Sequence, residues 1–298
     1  MWFPSSGWAG LPFGAILAVA AAYAVAYRRS GAVITSRLAM ALLALWALVA
    51  TTVLVGVVAE GGWPAIAHLV RSPIAFWADQ PAGEWLWGAV GALGLFAVAF
   101  VLTQVVGRGY LQLLRPRPLP WPTHVPTPRI ATRLLTFSSD RADAMMFTLL
   151  ERSGRWGLRP VDLILISDRL LAALTPAEQE AVVAHELGHG RGLDGRYLTF
   201  LRTFSRLMRW DPVFAFVADS VTRREELRAD AVAVELTGRP RALARAIYKA
   251  SRMAPGRTFS PTALLGVGGR RGRAHALARI ERLVELADSG QFLEEFGA

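Results

Sequence analysis

The sequence contains no cysteine. Disulfide bonds and thiolate metal ligands are therefore excluded, so any zinc site in this chain must be built from histidine and carboxylate side chains. Lysine is nearly absent as well, because Lys249 is the only lysine among 33 basic residues. The net charge is +10, but no nucleic-acid recognition motif accompanies this basic balance, and we expect no nucleic-acid partner.

Charged residues are scarce in the first third of the chain. Residues 1–106 contain four arginines and three acidic residues. Three apolar segments in this region are close to the roughly 20 residues that a membrane-spanning helix needs. They cover residues 11–27, 38–59 and 85–106. The pattern predicts a multi-pass integral protein of the cell membrane, with the lipid bilayer as a partner.

The distribution of arginine predicts the orientation in the membrane. Arginines lie between the first two predicted spans and directly after the third, whereas the N-terminus and the 60–84 loop contain few. The positive-inside rule then places the N-terminus outside and everything after Val106 in the cytoplasm. We accordingly divide the chain into a transmembrane anchor (1–113), a linker rich in proline and arginine (114–128) and a globular domain (129–298).

The globular domain carries signals for both strands and helices. Apolar runs at 145–150 and 161–166 predict two strands joined by a turn. Thr175, Pro176 and Glu178 have the spacing of a helix start, with an N-cap threonine, a proline at N1 and a glutamate at N3. The other predicted helices cover 211–238, 240–253 and 274–288, with an amphipathic helix over 197–217. The fold class is therefore mostly α, with N-terminal transmembrane helices followed by an α+β domain that has a small antiparallel sheet.

The central motif of the sequence is His185-Glu186-Leu187-Gly188-His189. Histidines four residues apart lie on one face of a helix, so both imidazoles can reach one metal ion. Glu186 lies beside that position, where its carboxylate can take a proton from zinc-bound water. This spacing on a helix is typical of zinc metallopeptidases, in which the activated water attacks a peptide carbonyl.

A catalytic zinc ion needs a third protein ligand. Glu226 and Asp230 lie four residues apart, on one face of a predicted helix. Glu226 as the ligand and Asp230 as the partner of a ligand histidine would complete the site. Spacing alone does not decide the ligand, because Glu225 is a competing choice and a solvated face of alternating charge gives the same pattern.

Residues 130–290 resemble the membrane-embedded gluzincin peptidases. The segment Ala181–His189 is similar to their active-site helix, and Arg224–Ala231 resembles their E-x-x-x-D helix. The resemblance extends to the HtpX-like and CAAX-prenyl-protease class and to the BlaR/MecR class of signalling peptidases. The residues leave both classes open.

The resemblance implies a minigluzincin-type domain with one zinc ion per chain. His185, His189 and Glu226 are the implied zinc ligands, and Asp230 is the implied partner of a ligand. The stretch 163–171 is similar to the strand and turn that precede the active-site helix. This strand is expected to be an edge strand that holds an extended substrate by backbone pairing. Its residues are Leu163, Ile164, Leu165 and Ile166.

Two functions of different classes are compatible with these residues. The first is a membrane-anchored zinc endopeptidase that hydrolyses protein or peptide substrates at the cytoplasmic membrane face, in membrane-protein quality control or regulatory proteolysis. The alternative is a membrane-anchored zinc-binding signalling or scaffold module without hydrolytic activity. Glu186 favours the first hypothesis, because a purely structural zinc site needs no acid there. The sequence leaves the oligomeric state open.

Overall fold

The structure is a computed structural model that describes part of the chain. The described residues are 41, 48, 82–128, 131–140, 142–153, 157–191, 212–253 and 270–289. The predicted spans 11–27 and 38–59 lie outside them, apart from two helical positions, and so does most of the predicted amphipathic helix 197–217. The chain divides into two compact units, which are Met1–Val101 with Trp210–Val217 and Leu102–Arg209 with Ala218–Ala298.

Six helices and four strands lie within the described ranges. The helices are α1 (Ala82–Leu114), α2 (Asp168–Ala173), α3 (Pro176–Arg191), α4 (Pro212–Thr237), α5 (Pro240–Met253) and α6 (Arg270–Ser289). The strands are β1 (Arg117–Pro118), β2 (Thr132–Phe137), β3 (Ala144–Ser153) and β4 (Gly157–Ser167). The predicted hairpin and the three predicted helices after the motif helix are confirmed. Gly238 ends α4 with a φ of 61°, a conformation that favours glycine.

The four strands form one sheet in the order β1-β2-β4-β3. β4 pairs antiparallel with β3 but parallel with β2. The prediction of an antiparallel sheet is therefore wrong for the β2–β4 pair, and the sheet is mixed. The reason is topological: the chain passes from β2 to the outer strand β3, and the hairpin then returns β4 to the middle in the direction of β2.

The prediction that Leu163, Ile164, Leu165 and Ile166 form an edge strand is also wrong. All four lie in β4, and each of them is paired with β2 on one side and with β3 on the other. Their side chains are buried, as expected for a continuous apolar run in a strand that is covered on both faces. Backbone pairing with a substrate is therefore not available to β4, and β3 is the outer strand at this side of the sheet.

Both faces of the sheet are covered by apolar side chains. On one face, Tyr110, Leu111 and Leu114 of α1 pack on a cluster that includes Phe147 and Leu163. On the other face, alternate residues of β3 and β4 join a larger core with α3, α5 and α6. The sheet-side members of that core include Met146, Ile164 and Ile166. Each large apolar side chain buried in this way stabilises the fold by about 1.5–3 kcal/mol.

The predicted linker 114–128 contributes to the domain core. Arg117 and Pro118 pair with β2, and Val125 is buried in the core on the α3 side of the sheet. The Trp121 indole donates a hydrogen bond of 2.8 Å to the backbone carbonyl of Val125. This segment is therefore packed rather than a free spacer.

The third predicted span, 85–106, lies within α1. Large apolar side chains are exposed along this helix, among them Leu93 and Val106. Within the described part of the chain, however, no helix combines the length and the apolar character that crossing a membrane requires. The helix is confirmed, and its crossing of a membrane stays a prediction.

The motif helix α3 begins where the sequence predicts. The Thr175 N–H donates to the Glu178 carboxylate at 2.9 Å, which is half of the capping arrangement expected from this spacing. Glu178 is buried, and its Oε2 atom also accepts a 2.6 Å hydrogen bond from the Lys249 ammonium of α5. The first turn of α3 is thus fixed to α5 by the only lysine of the chain, and the helix continues into the metal-binding motif.

Candidate metal centre

The C-terminal half of α3 carries the motif histidines on its buried face. His185, Glu186 and His189 are 8%, 6% and 4% exposed. The two imidazole rings are 4.9 Å apart between centroids and nearly perpendicular, at 83°. The helical spacing therefore brings both rings to one place, as predicted from the sequence.

Glu226 of α4 faces the two imidazoles. Its Oε2 atom is 3.4 Å from His185 Nε2, and its Oε1 atom is 3.6 Å from His189 Nε2. One ligand atom from each of the three residues lies within 4.8 Å of the others. Two imidazole nitrogens and one carboxylate oxygen form a donor set that suits a catalytic zinc ion, with a position left for water or substrate. The residues present therefore fit the zinc that the sequence predicts.

Glu225, the competing ligand candidate, makes different contacts. It is 0% exposed, and its carboxylate accepts a 2.8 Å hydrogen bond from Arg228 Nε. Arg228 also donates to the backbone carbonyl of Gly188 at 2.9 Å. The Glu225–Arg228 pair thus links α4 to α3. The glutamate that lies with the two histidines, where it could hold a metal ion, is Glu226.

Gly188 permits the close approach of α3 and α4. A Cβ atom at this position would lie 2.9 Å from the Ala229 Cα atom and 3.0 Å from its carbonyl oxygen. These contacts are with backbone, which cannot move aside as a flexible side chain can. The glycine between the two histidines is therefore required for α4 to come close enough to present Glu226.

Asp230 lies one turn after Glu226 and contacts the opposite side of the His185 ring. Its Oδ1 atom is 2.9 Å from His185 Nδ1, an ion-pair distance that lacks the alignment of a full hydrogen bond. A carboxylate at this nitrogen fixes the orientation of the imidazole and leaves Nε2 for a metal. The structure therefore places Asp230 where the sequence predicted a partner of a ligand histidine.

Arg279 of α6 joins the two acids, a role that the sequence analysis missed. Its Nε and Nη2 atoms donate to both oxygens of Asp230 at 2.7 and 2.6 Å, and Nη1 donates to Glu226 Oε2 at 2.8 Å. The planar guanidinium makes such a forked contact possible. The available signal was an arginine in a predicted helix, 49 residues from Asp230 in sequence, with nothing local to indicate its partner.

In this cluster, burial and the neighbouring charges shift the pKa values in opposite directions. Burial lowers the pKa of His185, but the adjacent Asp230 and Glu226 carboxylates outweigh it and raise that pKa to about 9. Burial raises the pKa of Glu226, but the Arg279 guanidinium outweighs it, so that this pKa lies well below its ordinary value. The pKa of Asp230 is lowered by the same arginine against the effect of burial. The two acids are thus held as carboxylates, the form that attracts a metal cation.

This fold and site define a class of protein. A helix with His-Glu-x-x-His, a glutamate from a second helix within reach of both imidazoles, and an adjacent mixed sheet together indicate a gluzincin-type zinc metallopeptidase.

The sequence comparison agrees with this class. Residues 155–289, somewhat under half of the chain, match the model of peptidase family M48. The match includes the whole candidate metal centre and leaves α1, β1, β2 and β3 outside. No curated protein matches the chain.

Proposed function

We propose that the protein is a membrane-anchored zinc endopeptidase that hydrolyses peptide bonds of protein substrates at the cytoplasmic membrane face. Quality control of membrane proteins and processing of a regulatory protein both fit this activity. The observation that carries the proposal is the convergence of His185, His189 and Glu226 beside the acid Glu186. A structural zinc site would use the same three ligands but has no use for Glu186.

In this proposal His185, His189 and Glu226 hold one zinc ion per chain. Zinc in such a site polarises a peptide carbonyl and lowers the pKa of water toward neutrality. Glu186 takes a proton from the attacking water and transfers it to the departing amide nitrogen. Proton transfer of this kind contributes roughly 10²–10⁴-fold to the rate of an enzyme.

Asp230 and Arg279 act as positioning residues. Asp230 fixes the orientation of the His185 ring, while Arg279 holds Asp230 and Glu226 in a single geometry. Because Arg279 contacts only one oxygen of Glu226, the other oxygen remains directed at His189. This arrangement supports a preformed ligand set, which limits the reorganisation needed when a metal binds.

Strand β3 is the proposed binding site for an extended substrate, in place of the β4 residues predicted from the sequence. Within the described ranges, no strand pairs with the side of β3 that faces away from β4. A Cβ atom at Gly190 of α3 would lie 3.5 Å from the Met146 sulfur, so the end of the motif helix is beside this strand. An extended peptide can add to such an edge by main-chain hydrogen bonds.

Membrane anchoring is supported by the apolar segments 11–27, 38–59 and 85–106 and by exposed apolar side chains on α1. The exposed residues include Trp87, Val90, Leu93, Val98, Val101, Val105 and Val106.

The membrane topology can be tested by thiol labelling. Because the chain has no cysteine, any label must come from the single cysteine that is introduced. We expect Gly62→Cys to react with an impermeant maleimide on intact cells, and Ser36→Cys and Ser289→Cys to react only after lysis. Labelling of Ser289→Cys in intact cells would contradict a cytoplasmic peptidase domain.

The enzymatic proposal is tested by Glu186→Gln in purified protein. We expect zinc content equal to that of the wild type, with loss of casein cleavage and of self-cleavage. A matched control is Glu180→Gln, which changes an acid on the same helix that pairs with Arg239 at the surface. Absence of cleavage by the zinc-loaded wild type would support the alternative, a zinc-binding module without hydrolysis, and cleavage that Glu186→Gln retains in full would contradict the role of Glu186.

A further inference from the structure

The outer edge of β3 is closed at one residue, Leu150. Its backbone N–H donates to the Gln104 side-chain carbonyl at 2.9 Å, and its backbone carbonyl accepts from Arg108 Nη2 at 2.7 Å. Gln104 and Arg108 lie one turn apart on α1, so their side chains reach the same point. Together they occupy the two backbone groups that a neighbouring strand would otherwise use.

The register shows that Leu150 faces the outer edge. The Ser167 N–H of β4 donates to the Asp143 carbonyl, so odd-numbered residues of this strand direct their backbone groups toward β4. Because the direction alternates along a strand, even-numbered residues direct theirs outward. The outward positions are Ala144, Met146, Thr148, Leu150 and Arg152. Among these described residues, only Leu150 has its outward backbone groups bonded to side chains of α1.

Leu150 lies further along β3 than the point where this strand passes the end of the motif helix. Met146 is beside Gly190, the residue that follows the ligand His189. Leu150 is four residues further along β3, which corresponds to about 13 Å in a strand. An extended chain can therefore pair near the motif helix and then meets Gln104 and Arg108.

We propose that Gln104 and Arg108 form a stop that limits how far a substrate pairs with β3. Pairing extends over Ala144–Thr148 and ends before Leu150. A substrate that binds antiparallel to β3 meets the stop on its N-terminal side. The favoured substrate is thus an extended segment with a short N-terminal part, such as a chain terminus or a loop that turns away from the sheet at this point. This inference rests on the proposed peptidase function.

The stop is tested with a series of internally quenched peptides that share one cleavage site and are lengthened one residue at a time at either end. For the wild type, we expect KM to fall with N-terminal length and then to remain constant once the peptide reaches Leu150. In Gln104→Ala/Arg108→Ala, the backbone groups of Leu150 become available. We expect KM for the longest N-terminal extensions to fall about threefold further, with kcat unchanged, because new main-chain hydrogen bonds form.

The shortest peptide serves as the internal control, since it does not reach Leu150 and its KM should be the same in both proteins. Arg282→Ala, which removes an exposed arginine from α6, should leave the whole length profile unchanged. If the double variant does not fold, the single variants Gln104→Ala and Arg108→Ala carry the test, each with a smaller decrease in KM.

Three outcomes separate the possible failures. The same length profile in the wild type and the variants would overturn the stop while leaving the peptidase function intact. A plateau that depends on C-terminal rather than N-terminal length would show that the substrate runs parallel to β3, and would overturn the stated preference for a short N-terminal part. Failure of the zinc-loaded wild type to cleave any peptide or protein would instead contradict the proposed function.

Discussion

A buried cluster of charged side chains lies at each end of α3, and the two clusters differ in the groups that they bring together. At the N-terminal end, Glu178 accepts hydrogen bonds from the Thr175 N–H and from Lys249, and Arg245 Nε lies 3.7 Å from its other oxygen, so this buried acid is paired with basic groups. At the C-terminal end, two acids and two imidazoles converge while Arg279 neutralises the acids from one side. The first cluster is complete as it stands. The second brings two imidazole nitrogens and a carboxylate oxygen to a common point, which is the arrangement expected of a metal centre.

Among the substitutions that test this comparison, Arg279→Ala is expected to lower the free energy of unfolding the most. Removal of the guanidinium leaves Asp230 and Glu226 as buried acids without their cation, and breaking a buried ion pair in this way costs about 3–5 kcal/mol. Urea unfolding of the metal-free protein in detergent measures the loss. Exposed Arg282→Ala on the same helix should change the unfolding free energy by less than about 0.5 kcal/mol. Equal effects of the two variants would contradict the role of Arg279.

The metal-free centre is expected to lose stability on the alkaline side. His185 has an ordinary pKa of 6.5 that is raised to about 9 in the fold. A raised pKa stabilises the folded state fully below pH 6.5, and the contribution disappears as the pH rises through 9. The contribution of the imidazolium is on the order of 3 kcal/mol.

The measurement is the difference in unfolding free energy between the wild type and His185→Gln, both metal-free, from pH 6 to pH 10. The difference should shrink as the pH rises. A difference that stays constant over this range would show that the imidazolium is not paired as described.

The approach of the two ligand helices is tested by Gly188→Val. The new side chain would meet the Ala229 backbone, and overpacking of this kind costs about 1–3 kcal/mol. Because α4 must move, zinc affinity should fall along with stability. A matched control is Gly109→Val on α1, where a Cβ atom meets nothing within 4 Å. Retention of wild-type zinc affinity in Gly188→Val would contradict the requirement for close approach.

The smallest loss of stability is expected from a substitution in the cluster at the N-terminal end of α3. Lys249→Met keeps the aliphatic stem and removes the charge beside buried Glu178, at a cost of about 1–2 kcal/mol near neutral pH. Burial raises the pKa of Glu178, but Lys249 and the Thr175 N–H lower it below 4.5 overall. A lowered pKa stabilises the fold above pH 4.5, and this contribution is lost as the pH falls through the folded-state value.

The difference between Lys249→Met and the wild type should therefore shrink in acid, the opposite direction from the His185 effect. Chemical unfolding at pH 7 and at pH 3 measures it. Zinc content should be unchanged, since this cluster holds no metal in our account. Loss of zinc from Lys249→Met would show that the two ends of α3 are coupled.

The parts of this structure that follow local rules could be predicted from the sequence. The start of α3 follows from Thr175, Pro176 and Glu178, whose spacing defines a capped helix. The pairing of the two motif histidines follows from helical periodicity, because residues four apart share a face. Glu226 could be chosen over Glu225 only with the help of the family resemblance.

The parts that depend on distant residues could not be predicted. The apolar run Leu163–Ile166 indicates a buried strand but carries no information on its neighbours, and its position between β2 and β3 is decided by strand order. Arg279 is 53 residues from Glu226 and 49 from Asp230, so no spacing rule connects them. The contact of Gln104 and Arg108 with Leu150 likewise depends on how α1 packs on the sheet.

The central claim is that His185, His189 and Glu226 bind zinc and that Glu225 does not. The most direct measurement is the zinc content of the wild type, Glu226→Gln and Glu225→Gln after dialysis against the same weak chelator, with folding checked by circular dichroism. We predict one zinc ion per chain in the wild type and in Glu225→Gln, and loss of zinc from Glu226→Gln. Stoichiometric zinc in a folded Glu226→Gln variant would contradict the ligand set.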